Sequence, residues 1–398
     1  MEHLPPVHAL LVDDDPLILA LLSAFLVSKG YTVMVADSGE VALELIGAGD
    51  FKLVITDWVM PGMDGLDLCR AVRALKGESY VYLIMLTSNR DEYALVNAMQ
   101  AGVDDFLAKP FRPVELGARL HAAERVLALE ADLDQRNRKL ADAYGQLSRE
   151  LELAKAMQLA MLPARARFGR VQFNWVFEAS SYVGGDMFDY FRVDERHVCF
   201  YVIDVSGHGV SAAMLAFSAH HQLLSSKADI AEALAQHAGD ICRVAEMMTA
   251  RLNLHFLQMK ETSLYLTMVY GLLDITSGQV ALVQAGHPAP LHITAAGATS
   301  SIGDGGFPIG ILQEASYQSH LIQLLPGSRL FVYSDGITDC TNPEGAFFSQ
   351  KALEDVLLGQ RTQPLEAAGA ELRRALHAWK GAAQAFNDDV TLLSLAYH

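Results

Sequence analysis

The chain has 398 residues, of which 51% are apolar and 19% are charged, and its formal net charge at pH 7 is −17. This length suffices for two domains with their own cores, and the composition excludes wholesale disorder. The acidic charge argues against general nucleic-acid binding, which requires basic side chains at the phosphate backbone, although a small basic patch stays compatible with it.

Cysteine usage and hydropathy bear on the cellular location. The four cysteines lie far apart without disulfide or zinc spacing, which indicates a reducing compartment. The N-terminus lacks the basic region of a signal peptide, and no apolar run reaches about 18 residues. We therefore expect a cytoplasmic protein without a membrane partner.

Residues 8 to about 120 alternate short apolar runs with helical patterns. The runs typical of buried strands are "HALLVDD", "YTVMVA", "FKLVITD", "YVYLIMLTS" and "DDFLAKPF". Helices are predicted between them, the first ended by Gly30 and the second capped by Ser38. Such alternation predicts an α/β domain with a doubly wound five-stranded parallel sheet, whose functional residues lie at the carboxyl ends of the strands.

Five polar residues follow successive strand ends of this first region: Asp13, Asp14, Asp57, Thr87 and Lys109. A single aspartate at a strand end is more often a helix N-cap, but five such residues in this order make coincidence improbable. Gathered carboxylates suit one Mg²⁺ ion. Asp57 is then placed to attack a phosphorus centre, while Lys109 and Thr87 contact phosphoryl oxygens.

The motifs "LLVDDDP", "VITDWVMPGMDG", "MLTS" and "DDFLAKPF" resemble the response-regulator receiver family over about residues 7–122. The resemblance implies that Asp57 is the phosphoacceptor for a histidine kinase or phosphotransfer protein. It also implies a cis peptide between Lys109 and Pro110. The Mg²⁺ ligands that it implies are Asp13, Asp14, Asp57 and the carbonyl of Val59.

Residues 125–161 contain no proline and predict one long helix. A seven-residue apolar repeat runs through Val126, Leu133, Leu140, Leu147, Ala154 and Met161. Glu130, Asn137 and Gln158 do not fit this seam. The repeat favours a coiled coil in a parallel homodimer, and a helix packed on its own domain is the alternative. The predicted domains are 1–124, 125–163 (the linker) and 164–398.

Beyond residue 170 the pattern changes to strands separated by glycine-rich turns. The strand-like runs are "VQFNWVFEAS", "HVCFYVIDV", "SLYLTMVYGLLDIT", "GQVALVQAGHP", "PLHITAAG", "SRLFVYSDG" and "DVTLLSLAYH". Helices are predicted at about 210–225, 229–258 and 350–380. Long strands with grouped helices predict an α+β β-sandwich flanked by helices.

Aspartates adjoin four of these runs, namely Asp186, Asp204, Asp335 and the pair Asp388-Asp389. Two carboxylates about 4 Å apart repel by about 4 kcal/mol at an effective dielectric near 20, so they either point apart or share cations. Ligands that are all oxygen atoms indicate Mg²⁺ or Mn²⁺ rather than zinc. The pattern favours a two-metal hydrolase, and the alternative is a set of ordinary turns.

The motifs "AKAMQLAMLP", "VGGDMFDYF", "DVSGHG", "AGHPAPL", "SDGITD" and "DDVTLL" resemble the metal-dependent phosphatase 2C family, in its SpoIIE-like branch, over about residues 155–398. The resemblance implies two Mn²⁺ or Mg²⁺ ions bridged by Asp204. Asp186 and the carbonyl of Val205 then belong to the first ion, and Asp335 and Asp388 to the second.

Other polar residues in these motifs receive weaker assignments. Asp389 is a neighbour of the metal ligands, and Asp189 is expected to satisfy a local turn. His208 is either a general acid or a helix-start residue. His287 is expected to be structural and Cys340 a small packed residue.

The leading functional hypothesis is a response regulator in which phosphorylation of Asp57 controls a metal-dependent serine/threonine protein phosphatase. By analogy, its substrate is a phosphoprotein such as an anti-sigma-factor antagonist. The alternative is a non-catalytic adaptor that binds a sigma factor or anti-sigma partner, although the retained metal acids favour catalysis. A transcription factor is disfavoured because no helix-turn-helix follows residue 125.

Overall fold

The computed structural model describes residues 8–75, 80–88, 92–207, 209–258, 264–381 and 385–398. The chain divides into two compact units, Met1–Gly145 and Gln146–His398. Each unit has hydrophobic cores of its own, because the core clusters contain residues from one unit only. No described helix combines the length and apolar character needed to cross a bilayer.

The first unit alternates strands and helices. Its elements are β1 (His8–Val12), α1 (Pro16–Ser28), β2 (Thr32–Ala36), α2 (Gly39–Ala48), β3 (Leu53–Asp57), α3 (Gly65–Ala74), β4 (Tyr82–Thr87), α4 (Glu92–Gln100), β5 (Asp105–Ala108) and the start of α5 (Pro113–Met161). The five strands form a parallel sheet in the order β2-β1-β3-β4-β5, and helices cover both faces. The predicted doubly wound sheet is confirmed.

Local sequence explains how α1 and α2 begin and end. Asp15 caps α1, since its carboxylate accepts a hydrogen bond from the amide of Leu17 at 2.8 Å, and Pro16 follows at the first helical position. The chain leaves α1 through Gly30, whose φ of 92° favours glycine. Ser38 precedes α2 as predicted, but its hydroxyl accepts no hydrogen bond from the helix backbone.

The predicted linker is part of a longer helix. The 49 residues of α5 run without a break from Pro113, past Gly145, to Met161. Its first turns pack on the first sheet through Leu116 and Leu120. The seam residues Leu133, Leu140 and Leu147 are 51%, 55% and 51% exposed, so over this stretch the helix does not pack on its own domain. A coiled-coil partner for them stays a prediction.

The second unit contains most of the strands. These are β6 (Arg167–Phe168), β7 (Val171–Glu178), β8 (Met187–Arg192), β9 (His197–Val205), β10 (Leu266–Asp274), β11 (Gln279–Ala285), β12 (Leu291–Ile293), β13 (Thr299–Ser301), β14 (Ser319–Gln323), β15 (Arg329–Tyr333) and β16 (Val390–Tyr397). The helices are α6 (Val210–Ser225), α7 (Lys227–Gln236), α8 (Ile241–Gln258), α9 (Asp335–Thr338), α10 (Gln350–Gly359) and α11 (Leu365–Lys380).

These strands form two antiparallel sheets, in the orders β14-β11-β10-β9-β8 and β13-β12-β15-β16-β7-β6. Aromatic side chains join their inner faces; Phe173 of β7 stacks on Tyr190 of β8 with ring centroids 4.3 Å apart. The helices α6 to α8 cover the first sheet, and α10 and α11 cover the second. The predicted sandwich with flanking helices is therefore confirmed.

Two predicted helices are each divided in the structure, and four strands of the structure were not predicted. The helix expected over 229–258 is divided into α7 and α8, because Ala238 and Gly239 adopt positive φ angles of 55° and 79°. The helix expected over 350–380 is divided between α10 and α11, and Pro364 stands at the break. The strands that the sequence does not predict are β6, β8, β13 and β14.

Candidate functional site

The carboxyl edge of the first sheet brings the predicted receiver residues together. Asp13 follows β1, Asp57 ends β3 and Lys109 follows β5, so the strand order places them side by side. One carboxylate oxygen from each of Asp13, Asp14 and Asp57 lies within 4.8 Å of the other two. The Lys109 Nζ atom lies 2.8 Å from Asp13 Oδ2 and 2.9 Å from Asp57 Oδ1.

Negative charge exceeds positive charge at this edge of the sheet. Burial raises the pKa of Asp57 and the charge of Asp13 adds to the increase, while the hydrogen bond and charge of Lys109 lower it. Burial alone would lower the pKa of Lys109, but the hydrogen bonds and charges of Asp13 and Asp57 together raise it. Three carboxylates face one ammonium group here, a surplus of negative charge that fits a divalent cation.

Thr87, Val59 and Pro110 surround this group. Thr87 ends β4, is buried, and accepts a hydrogen bond through its carbonyl from the Lys109 amide at 2.7 Å. The Lys109-Pro110 peptide is cis, which confirms that prediction. Val59 lies in the loop after Asp57 and is 71% exposed. That its carbonyl oxygen binds the metal ion stays a prediction. Gly65 is required because a Cβ atom there would overlap the carbonyl of Asp57.

The predicted acids of the second unit meet from opposite sheets. Asp186 precedes β8 and Asp204 lies near the end of β9, both in the first sheet of the sandwich. Asp335 begins α9 directly after β15, and Asp388 and Asp389 precede β16 in the second sheet. The acids therefore occupy one end of the sandwich, where the two sheets face each other.

The negative charges of these acids act on one another. Burial, followed by the charges of Asp204 and Asp389, raises the pKa of Asp186 well above its usual value. Burial and the charges of Asp335, Asp388 and Asp389 raise the pKa of Asp204 to about 7. Burial and the charge of Asp388 likewise raise the pKa of Asp335. The five carboxylates form one electrostatically coupled group, which we call the acid cluster.

The acid cluster fits divalent cations in its chemistry. Its donors are all oxygen atoms, and no described lysine or arginine forms an ion pair with Asp186, Asp204, Asp335 or Asp389. In contrast to the receiver acids, no three described ligand atoms of the cluster lie within 4.8 Å of one another.

Buried hydroxyl and amide groups hold the cluster in place. The Thr391 Oγ1 atom donates to Asp186 Oδ2 at 2.5 Å. Asp389 Oδ1 accepts from the amide and hydroxyl of Ser180 at 2.7 and 2.9 Å, and its Oδ2 accepts from the Asp186 amide at 3.3 Å. A Cβ atom on Gly184 would overlap this carboxylate, so the glycine allows Asp389 to hold the Asp186 loop.

Gln158 of α5 lies in the "AKAMQLAMLP" motif, but no role at the site was predicted for it from the sequence. Its amide nitrogen donates to the carbonyls of Gly184 and Asp186 at 3.1 and 3.2 Å, and its amide oxygen accepts from the Gly184 amide at 3.0 Å. The side chain is buried, with 1% exposure. Its misfit in the apolar seam is the sequence signal for this role, since a buried amide requires polar partners.

The remaining predicted residues lie around the cluster. His208 lies outside the described residues. His287 is buried, which lowers its pKa to about 3, and it contacts Thr267, the strand partner of Asp204, at 2.9 Å. Asp189 lies inside β8 rather than at a turn, so that prediction is wrong, although its carboxylate does accept from the next amide. Cys340 is buried in the second core.

Family comparison agrees with this division into two sites. Residues 194–398, about half of the chain, match the family described as Stage II sporulation protein E (SpoIIE). The chain belongs to the SpoIIE family. Residues 9–121 match the response regulator receiver domain, so a receiver domain precedes the SpoIIE domain. Asp186 lies shortly before the range of the SpoIIE match.

Individual relatives cover each part separately. The phosphoserine phosphatase RsbP of Bacillus subtilis (strain 168) is 30% identical over 193 residues, which are 48% of this chain and 46% of that protein. The DNA-binding response regulator MtrA of Mycolicibacterium smegmatis is 39% identical over 116 residues, which are 29% of this chain and 50% of that protein. The chain spans about half the length of these curated relatives.

A solved structure agrees with the fold of the SpoIIE domain. The SiaA-PP2C domain of Pseudomonas aeruginosa superposes with a TM-score of 0.55 at 21% identity, and the alignment covers 65% of this chain and all of that domain. At this identity the likeness shows the fold alone.

Proposed function

We propose that this chain is a response regulator whose receiver domain controls a metal-dependent serine/threonine protein phosphatase. The observation that carries the proposal is the acid cluster, in which acids from two sheets meet at one end of the sandwich, and burial and neighbouring negative charges raise the pKa of Asp186, Asp204 and Asp335. The SpoIIE match and the likeness to a phosphoserine phosphatase support phosphate-ester chemistry at this cluster. The roles of the individual acids are part of the proposal.

In the receiver domain, Asp57 is the nucleophile toward a phosphohistidine of a kinase or phosphotransfer protein. The bond from phosphorus to the donor nitrogen breaks as the bond to the Asp57 carboxylate oxygen forms. Lys109, 2.9 Å from Asp57, then pairs with a phosphoryl oxygen, and the Thr87 hydroxyl donates to another. Asp13, Asp14 and Asp57, with the Val59 carbonyl, would hold a Mg²⁺ ion, which would offset the charge of the incoming group.

In the SpoIIE domain, two bound Mn²⁺ or Mg²⁺ ions supply charge compensation and water activation for hydrolysis of a phosphate monoester. Asp186, Asp204, Asp335, Asp388 and the Val205 carbonyl would hold the ions. Asp204 would serve both of them, because it hydrogen-bonds with Asp186 and also experiences the charges of Asp335 and Asp388. Thr391 and Asp389 orient Asp186 through its side chain and its backbone amide, respectively.

The substrate that fits this assignment is a phosphoserine or phosphothreonine protein, such as an anti-sigma-factor antagonist. The helix α5 supports coupling between the two domains, since it starts in the receiver core and carries Gln158 to the backbone of Gly184 and Asp186. A homodimer through the exposed seam of α5 supplies a second copy of this helix, and a shift of the pair then displaces the Asp186 loop.

The first test is hydrolysis of p-nitrophenyl phosphate by the full chain with manganese or magnesium. We expect metal-dependent turnover that Asp204→Asn reduces to the level of the metal-free protein. Asp304→Asn changes an exposed acid of the same domain and is the control. A wild-type protein that is inert with every divalent metal would refute the phosphatase and support the adaptor alternative.

The second test concerns control by the receiver. We expect acetyl phosphate to label the wild type and the exposed-acid control Asp67→Asn, but not Asp57→Asn. Phosphatase activity toward phosphoserine proteins is then compared with and without beryllofluoride, which mimics the acyl phosphate. Equal activity in both conditions would break the proposed coupling while leaving the phosphatase intact.

A further inference from the structure

Exposed apolar side chains lie in segments that adjoin the end of β9, the strand that carries Asp204. They are Val210 and Met214 of α6, Tyr265 before β10, and Phe307 and Ile311 in the segment between β13 and β14; we call this set the apolar rim. Their exposed fractions are 55%, 60%, 39%, 51% and 46%, respectively. Scattered exposed apolar residues are ordinary, but a group of them beside one site is typical of an interaction surface.

Backbone hydrogen bonds connect the rim to Asp204. Ser206 follows β9 directly, and its amide donates to the Tyr265 carbonyl at 2.9 Å while its hydroxyl accepts from the Tyr265 amide at 3.1 Å. The next residue, Leu266, pairs with Val205 and exchanges two hydrogen bonds with Ile309, at 2.8 and 3.2 Å. Phe307 and Ile311 flank Ile309, so they lie beside the strand end that carries Asp204.

The helix α6 completes the rim on the other side of this strand end. It starts at Val210, after a turn in which Gly207 and Gly209 adopt φ angles of 90° and 84°. Val210 and Met214 are four residues apart and therefore share one face of the helix. That face is exposed, whereas Ala212, Ala213 and Ala216 are buried.

From this placement we infer that the apolar rim binds the phosphorylated segment of the protein substrate, and that it selects phosphoserine or phosphothreonine flanked by apolar side chains. The inference rests on the proposed phosphatase. A phosphate ester that reaches Asp204 must bring the residues beside it over the rim, because the rim adjoins that strand end. Covering about 60 Å² of apolar surface corresponds to about a tenfold gain in affinity.

The test compares two phosphothreonine peptides that differ only at the flanking positions, which are leucine in one and serine in the other. We expect the kcat/KM of the full chain to be about tenfold higher for the leucine peptide. In Met214→Ser/Ile311→Ser the ratio of the two kcat/KM values is expected to fall toward one. Leu325→Ser is the control, because Leu325 is 60% exposed beside the Tyr397 end of β16, away from Asp389.

The possible outcomes distinguish the peptide preference assigned to the rim from the phosphatase activity itself. Equal wild-type kcat/KM values for the two peptides overturn the inference and leave the phosphatase standing, and this comparison requires no variant. A preference that persists in the double variant also overturns it. Loss of self-association in the double variant, without any peptide preference in the wild type, would assign the rim to a second copy of the chain. Failure to hydrolyse p-nitrophenyl phosphate as well as both peptides overturns the phosphatase and the inference together.

Discussion

Replacing Gln158 with leucine tests whether α5 holds the Asp186 loop. Leucine suits both the helix and the apolar seam, so the change removes the amide while adding a residue that the heptad pattern favours. Three buried backbone groups, the carbonyls of Gly184 and Asp186 and the amide of Gly184, lose their partner. At about 1 kcal/mol each, the free energy of unfolding of the second unit is expected to fall by about 3 kcal/mol.

Urea unfolding of the full chain measures this loss, and the manganese concentration that half-activates hydrolysis of p-nitrophenyl phosphate reports the position of Asp186. We expect Gln158→Leu to require more manganese than the wild type, because the loop that carries Asp186 is held less firmly. Gln146→Leu is the matched control on the same helix, since Gln146 is exposed and its amide donates to Glu150, one helical turn away, at 3.1 Å. Unchanged unfolding and an unchanged manganese requirement in Gln158→Leu would refute the reasoning.

Three other changes have defined outcomes. Burial raises the pKa of Asp189 from 3.8 to about 6, so the ionised carboxylate destabilises the fold once the pH rises through this range. Asp189→Asn should therefore stabilise the protein by up to about 3 kcal/mol at pH 8 and not at pH 3, and thermal unfolding at both pH values measures this difference. Leu140→Glu should convert a dimer into a monomer of 43.4 kDa by light scattering, whereas Lys139→Glu, off the seam, should not. Gly184→Ala should abolish manganese-dependent hydrolysis, because its Cβ displaces the Asp389 carboxylate, and retained activity would count against this packing.

The first sheet and its acids were predictable because each strand is a short apolar run that ends in a polar residue or is followed directly by one. Parallel pairing then leaves only one edge where Asp13, Asp57 and Lys109 can meet, and the Lys109 Nζ atom lies within 2.9 Å of a carboxylate oxygen of each aspartate. The predicted strand "HVCFYVIDV" likewise coincides with β9, because nearly all of its side chains are buried.

Features that depend on tertiary contacts escaped prediction. The strand β8 mixes Asp189 and Arg192 with aromatic residues, and its strand character follows from pairing with β9 rather than from its own pattern. The division between α7 and α8 depends on the left-handed backbone conformation of Ala238, which an alanine in the sequence does not indicate. Gln158 was visible as a defect in the seam, but its partners lie 26 and 28 residues away in the chain.

The unbroken course of α5 limits how related regulators can be recombined. An α-helix turns by about 100° per residue, so removing two residues between Leu133 and Leu147 would turn Gln158 by about 200° about the helix axis relative to the start of α5. Removing seven residues would leave a phase error of only about 20°. Chimeric proteins that receive a different input domain at this helix should therefore function only when whole heptads separate the junction from Gln158.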